Sequence, residues 1–344
     1  MWSPICRRIC RARISDPNPH AYFSHPACCR ILKRLEDSIV WRAWHIYVDT
    51  FQHLEELLLR AIMPEVKALD PPCDAFFIRY GENGPHVRFR LRGLDVSAFE
   101  AMGGRLHTTA LQIVSGSGKP PESSNISLYL SHNAIAPFKP GSTVEVPYEP
   151  EIQRYGGEHA ISINEHLFAA SSRLALSIIE ATNKKNGARQ NIALGLTAAA
   201  ISSINASREA HTAFLTTMKN YWSSFLRDPK VVEDIVRRDY AVAGTSIRRV
   251  ALQFSNPSRA TLSSVELRWK ANVCRHFVAL DALGTENLLI HPLTGRVAIG
   301  RDDVDNALLS ILLSQIHMMN NRLGILPHEE FYFASILLMA LAEM

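Results

Sequence analysis

The 344-residue chain has no CxxC pair, no HExxH helix, no GxSxG elbow and no internal repeat. The missing histidine pair removes the zinc-hydrolase pattern, and the missing elbow removes the usual serine-hydrolase pattern. Cysteine is sparse: Cys6, Cys10, Cys28, Cys29, Cys73 and Cys274 form no spaced framework. They are expected to be thiols in a reducing cytoplasm, with no metal and no cofactor to hold. Long apolar runs are also missing. The richest, Phe331 to Ala342, falls short of the roughly 20 residues a bilayer span needs and suits a buried terminal helix. The amino terminus is basic but lacks the apolar stretch of a signal peptide. A net charge of +4 permits acidic ligands without requiring nucleic acid.

What remains is the composition of a folded globular protein, 47% hydrophobic and 20% charged, large enough to bury one sizeable core. Residues 1–37 read as an N-terminal extension, an irregular lead-in that ends near Ser24, where a capped helix is expected to begin. Trp44 to Val48 alternates like a strand, and a helix from Leu54 to Met63 is expected to stop at Pro64. Two strands, Ala75 to Tyr80 and His86 to Arg92, flank the turn-forming GENG. Further short strands are expected at Ala110 to Val114 and Ile126 to Leu130, around the polar loop SGSGKPPESS. Helical patterns take over from Asn164: Leu167 to Glu180, Ile192 to Ile204, and Thr212 to Arg237 with a break at Pro229. The fold class is therefore α+β, a strand-rich N-terminal half packed with a predominantly helical C-terminal half, in one core or two subdomains.

Three stretches carry the chemistry. In FFIRYGENGPHVRFRLRG (76–93), Val87, Phe89 and Leu91 point one way, and His86, Arg88, Arg90 and Arg92 the other. Arg79 shares the face of Phe77, opposite Phe76, Ile78 and Tyr80. A row of guanidinium groups on a folded strand can grip a carboxylate or phosphate; the plainer alternative is a solvated charged face. In VPYEPEIQRYGG (146–157), the prolines restrict the chain and Gly156 and Gly157 permit a tight turn. Arg154 can join an anionic pocket beside Tyr155, and Glu149 and Glu151 can pair with the hairpin arginines; a purely structural turn fits equally. SILLSQIHMMNNRLGI (310–325) reads as a helix placing Ser310, Ser314, His317 and Asn321 on one face. There His317 can exchange a proton, with Asn321 or a serine orienting the ring, unless it is a structural histidine.

With WRAWHIYVDTFQHLEELLLRAIMPEV (41–66) ahead of them, these stretches, ending in HMMNNRLGI, resemble the C-terminal, elimination-type domain of class I lanthipeptide dehydratases, the thiopeptide-type bacteriocin biosynthesis domain. The resemblance runs in family order over residues 38–344 and leaves 1–37 as an extension. It implies a lantibiotic dehydratase elimination-like fold without the large glutamylation domain, and a reaction on a ribosomally made precursor peptide. That reaction expels glutamate from a glutamylated Ser or Thr to leave dehydroalanine or dehydrobutyrine. By the resemblance, Arg88, Arg90 and Arg154 are the motif arginines, and His317 is the proton-transfer histidine. Arg79, His86, Arg92, Tyr155 and Asn321 line the substrate. A separate tRNA-dependent glutamylation protein is the expected partner, with no direct nucleic-acid binding and no membrane span, and a homodimer is left open. Stand-alone relatives also act as thiopeptide pyridine synthases, joining two dehydroalanines by a formal [4+2] cycloaddition. A noncatalytic precursor-binding scaffold is the third alternative.

Overall fold

The computed structural model describes residues 40–344 except 71–72, 117–137, 184, 186 and 205. The helix expected near Ser24, the strand at Ile126 to Leu130, most of the polar loop and four of the six cysteines lie outside the described residues.

The first half builds one antiparallel sheet in the order β2-β3-β1-β4, from β1 (Arg42–Tyr47), β2 (Asp74–Tyr80), β3 (His86–Arg92) and β4 (Thr143–Pro147). The GENG turn takes Asn83 and Gly84 through positive φ, 61° and 107°, the conformation tight hairpins demand. The register sets Arg90 opposite Ala43 and Phe76, Arg88 opposite His45 and Ile78, and His86 opposite Tyr47 and Tyr80. Directly opposed residues share a face, so His86, Arg88, Arg90 and Arg92 do form one row. The reverse face carries Trp44, Phe77, Phe89 and Leu91, all buried. Trp44 stacks on Phe99 of α3 (Val96–Gly116), ring centroids 3.6 Å apart.

Two expected boundaries move. The first helix does not stop at Pro64: α1 (Phe51–Leu57) passes through a π-helical turn (Leu58–Ile62) into α2 (Met63–Ala68). Pro64 sits in the first turn of that last segment, directly after the π-helical turn, so the helix runs on through it. Ala110 to Val114 is not a strand but the end of α3. Phe99, Met102, Leu106, Ala110 and Ile113 are buried at three- to four-residue intervals, so helical spacing over about four turns overrides a short apolar run.

The second half is helical: α4 (Glu158–Thr182), α5 (Ala188–Ile201), α6 (Arg208–Ser223), α7 (Pro229–Ser255), α8 (Ser264–Thr285), α9 (Arg301–Leu323) and α10 (Pro327–Ala342). Pro229 opens α7 as its first residue, the position where proline is tolerated best. Alpha helix α10, nearly all apolar, packs against α6 and α7, while α4 and α9 dock on β2. That docking satisfies the outward backbone of an edge strand. Phe77 N–H donates to Ser172 Oγ at 3.1 Å, and Asn321 both accepts from Arg79 N–H and donates to Arg79 C=O, each at 2.9 Å. One asparagine thus substitutes for a neighbouring strand. No helix among the described residues is long and apolar enough to cross a membrane.

Candidate functional site

The positive face of the sheet is short of acid. Arg90 makes no hydrogen bond or ion pair with any described residue; its guanidinium lies 5.3 Å from the ring centroids of both Phe76 and Tyr148. Arg88 lies 3.5 Å over the Tyr80 ring and donates from Nε to His86 Nε2 at 3.3 Å. His86 is fully buried, with Nδ1 2.9 Å from Gly84 C=O. It is therefore a neutral ring that donates through Nδ1 and accepts through Nε2, aiming Arg88. Burial, offset by the Gly84 bond and reinforced by Arg88 and Arg90, pulls His86 down to about 4. Burial followed by Arg88, His86 and Arg90 pulls His45 down to about 3. Two imidazoles held neutral by burial first and by neighbouring guanidiniums second leave the arginines as the charge on this face.

Arg92, at the far end of the row, differs. It donates to Asp74 at 3.0 Å, lies 3.8 Å from Glu165 and stacks 4.8 Å over Trp41, so its charge is already answered. Arg79 is on the reverse face, as the alternation requires. It pairs with Glu55 at 3.6 Å and donates from Nε to the Arg322 carbonyl at 3.0 Å, tying β2 to α9 away from the row.

Arg154 arrives on the turn Gln153–Tyr155. The two glycines that follow have φ of 92° and 96°, and a Cβ on them would lie 2.8 Å from Leu289 and 2.5 Å from Ile290. Only glycine permits both the backbone and the contact. Ile290 N–H donates to Gly156 C=O at 2.9 Å, and Asn164 Nδ2 donates to Tyr155 C=O at 2.9 Å. Gln315 of α9 in turn donates to Asn164 Oδ1 at 2.8 Å, so the turn is fixed to the histidine helix. Tyr155 is buried edge-on against Phe168, centroids 4.8 Å apart, and burial, opposed first by Arg154, pushes its phenol up to about 12. Arg154 donates to exposed Glu151 at 3.1 Å and from Nε to Ser314 at 3.3 Å. Arg90 and Arg154 share Tyr155 and Glu151 as electrostatic neighbours, which brings these two segments to one place. Glu151 pairs with Arg154 rather than with the hairpin; no ion pair joins Glu149 to a described residue.

Ser314 stands one turn before His317 on α9, so the Arg154 contact and the imidazole lie on one helix face. His317 Nδ1 is 2.7 Å from Oε1 of Glu330, and the Trp222 ring lies 4.8 Å from the imidazole. The orienting partner is Glu330 and not Asn321, because both ends of the Asn321 amide are committed to Arg79. Asn320 Nδ2 donates to the other Glu330 oxygen at 3.1 Å. Sequence reasoning passed over Glu330, the second of two acids, Glu329 and Glu330, at the head of the apolar terminal helix and the one that is buried. It also passed over Arg322, a residue 1% exposed that donates from Nε to Ser172 at 2.9 Å and that burial draws down to about 9.

Residues 41–341 match the family described as Lantibiotic biosynthesis dehydratase C-term. No curated protein matches the chain. Among solved structures, "Pyridine synthase, TbtD, from thiomuracin biosynthesis" aligns at a TM-score of 0.62 and 16% identity, over 89% of this chain and 98% of that one. TsrL aligns at 0.62 and 15%, over 88% of this chain and 94% of its own. The tRNA-dependent lantibiotic dehydratase MibB from Microbispora sp. 107891 aligns at 0.53 and 17%, over 88% of this chain and 28% of its own. These identities speak to fold, and the fold agrees with the α+β elimination-domain architecture. The family match, spanning the sheet, the Arg154 turn and the His317 helix, shows that the chain belongs to the lantibiotic biosynthesis dehydratase C-terminal family of peptide-maturation enzymes.

Proposed function

We propose that the chain catalyses a proton-coupled elimination on a ribosomally made precursor peptide, and that the group expelled is glutamate from a glutamylated Ser or Thr. The observation carrying this reading is the pair Arg88 and Arg90, cations on a folded face that pair with no carboxylate among the described residues. In the reaction His317 Nε2 takes the α-proton and the Cα–H electron pair becomes the Cα=Cβ bond. The Cβ–O bond breaks, and its electrons leave with the glutamate carboxylate. Arginines facing that carboxylate stabilise charge that grows in the transition state, where preorganised donors contribute most. The precursor peptide and a separate glutamylating protein are the partners this reading requires.

Pyridine formation from two dehydroalanines is the second reading, and the comparisons lean toward it. The chain spans 98% and 94% of the TbtD and TsrL structures but 28% of MibB. That reaction ends in loss of water and leader peptide, so it also uses a proton-transfer residue, but it has no carboxylate to grip. The two are separated by offering the purified protein a glutamylated peptide and, in parallel, a bis-dehydroalanine peptide. Release of glutamate with loss of its mass from the first supports elimination. Conversion of the second alone, with the leader released, replaces it by pyridine formation.

A further inference from the structure

Glu330 is 0% exposed and lies in the first turn of α10, where the helix dipole favours a carboxylate. A buried carboxylate is retained only when its charge is answered. Among the described residues its side-chain partners are His317 and Asn320. The nearby cations are spent elsewhere. Lys219, 5.5 Å over the Phe331 ring, is bonded to Glu233 at 2.7 Å, and Arg154 is bonded to Glu151 at 3.1 Å. Trp222 and Tyr221 of α6 bring aromatic surface and no charge to the same side. Among the described residues His317 is thus the titratable side chain bonded to Glu330 that can become its counter-ion, and its Nε2 has no partner among them.

We infer that Glu330 is the positioning residue of the proton-transfer site: its carboxylate accepts the Nδ1–H of His317, leaves Nε2 unprotonated and pointing away from α10, and becomes the counter-charge of the imidazolium once Nε2 takes a proton. Asn320 fills the second carboxylate oxygen, which fixes the plane of the group. The inference rests on the proton-transfer role proposed for His317 but not on which peptide reaction follows, because both readings move a proton there. It also separates Glu330 from the substrate: a buried acid behind the ring acts through His317 alone.

Nitrogen-15 correlation spectra of the full chain read the tautomer without substrate. The expected wild-type spectrum shows His317 protonated at Nδ1. In Glu330→Gln the Asn320 amide claims the one side-chain oxygen and leaves the glutamine NH2 facing Nδ1, so the ring shifts toward the Nε2–H form. The single-turnover rate on whichever peptide the wild type converts falls about 10²–10⁴-fold, the range for general acid–base participation. Glu330→Asp, which keeps the acceptor, restores the Nδ1–H tautomer and part of the rate. A wild-type ring protonated at Nε2 overturns the inference and needs no variant to fold. So does a Glu330→Gln protein with unchanged tautomer and a rate within about threefold of wild type, well below that range. Loss of all peptide conversion by the wild type, with the tautomer as expected, counts against the proposed reaction and leaves the Glu330 contact standing.

Discussion

Replacing Arg90 with methionine separates function from stability more sharply than any other single change. Methionine keeps most of the apolar stem that packs between Phe76 and Tyr148 and removes only the charged head. The structure sets two opposing contributions. Two guanidinium–ring contacts, at 5.3 Å each, are lost, at about 0.5–1 kcal/mol apiece. Against that, a half-buried cation with no carboxylate partner among the described residues and with Arg88 as neighbour is removed, and exchanging buried charge for apolar volume commonly stabilises by about 1–4 kcal/mol. The net expectation is a protein unchanged or more stable by about 1–2 kcal/mol. Elimination moves the other way. A hydrogen bond to a charged group is worth about 1.5–3 kcal/mol, which is about 10- to 150-fold in rate. Urea denaturation and single-turnover glutamate release from a preformed glutamyl peptide measure the two effects. A variant destabilised by several kcal/mol that still releases glutamate at the wild-type rate would falsify the anion-binding role and make Arg90 a structural residue.

Asn321→Ala strips both partners from the Arg79 backbone on the edge strand, and leaving those groups unmade costs about 2–4 kcal/mol. Urea unfolding should show that loss while the rate per folded molecule stays within about threefold; a rate loss of the size expected for a proton-transfer residue would return Asn321 to the chemistry. Acid should weaken the fold through His45 and His86. Their folded values, about 3 and about 4, lie below the ordinary 6.5, so the unfolded chain binds the extra protons. Their contribution is intact above 6.5 and is lost as pH falls through 6.5 toward 4, by at most about 1.4 kcal/mol per unit for each ring. Unfolding free energies at pH 7 and pH 5 should differ less in His86→Gln than in wild type, and an equal drop in both would show that His86 is not held neutral by the fold.

Period-two alternation was enough to place His86, Arg88, Arg90 and Arg92 on one face and Arg79 on the other, because a strand leaves no third option. Alternation could not tell which arginines are already paired. Arg92 finds Asp74 and Glu165 from separate elements, whereas Arg88 and Arg90 find aromatic rings, and that difference arises only in the packed sheet. Helical spacing likewise put Ser314 and His317 together, but it offered Asn321 as the orienting residue since Asn321 lies four positions on. Glu330, thirteen residues away, reaches the ring because the chain turns at Gly324 between α9 and α10, a tertiary placement that helical spacing cannot show. The helix through Pro64 and the helical Ala110 to Val114 segment were missed for a local reason. Proline and a short apolar run are weak signals against a long buried stripe.

The most direct measurement is rapid-quench release of glutamate from a peptide whose glutamylated serine carries deuterium at Cα, run with wild type and with His317→Asn. The account predicts prompt release by the wild type, slowed by the deuterium, with the dehydroalanine peptide appearing in equal amount. It predicts a rate about 10²–10⁴-fold lower in His317→Asn at saturating peptide, with binding little changed. Equal single-turnover rates for the two folded proteins would contradict proton transfer by His317. A wild type that binds the glutamyl peptide yet releases no glutamate would contradict elimination itself.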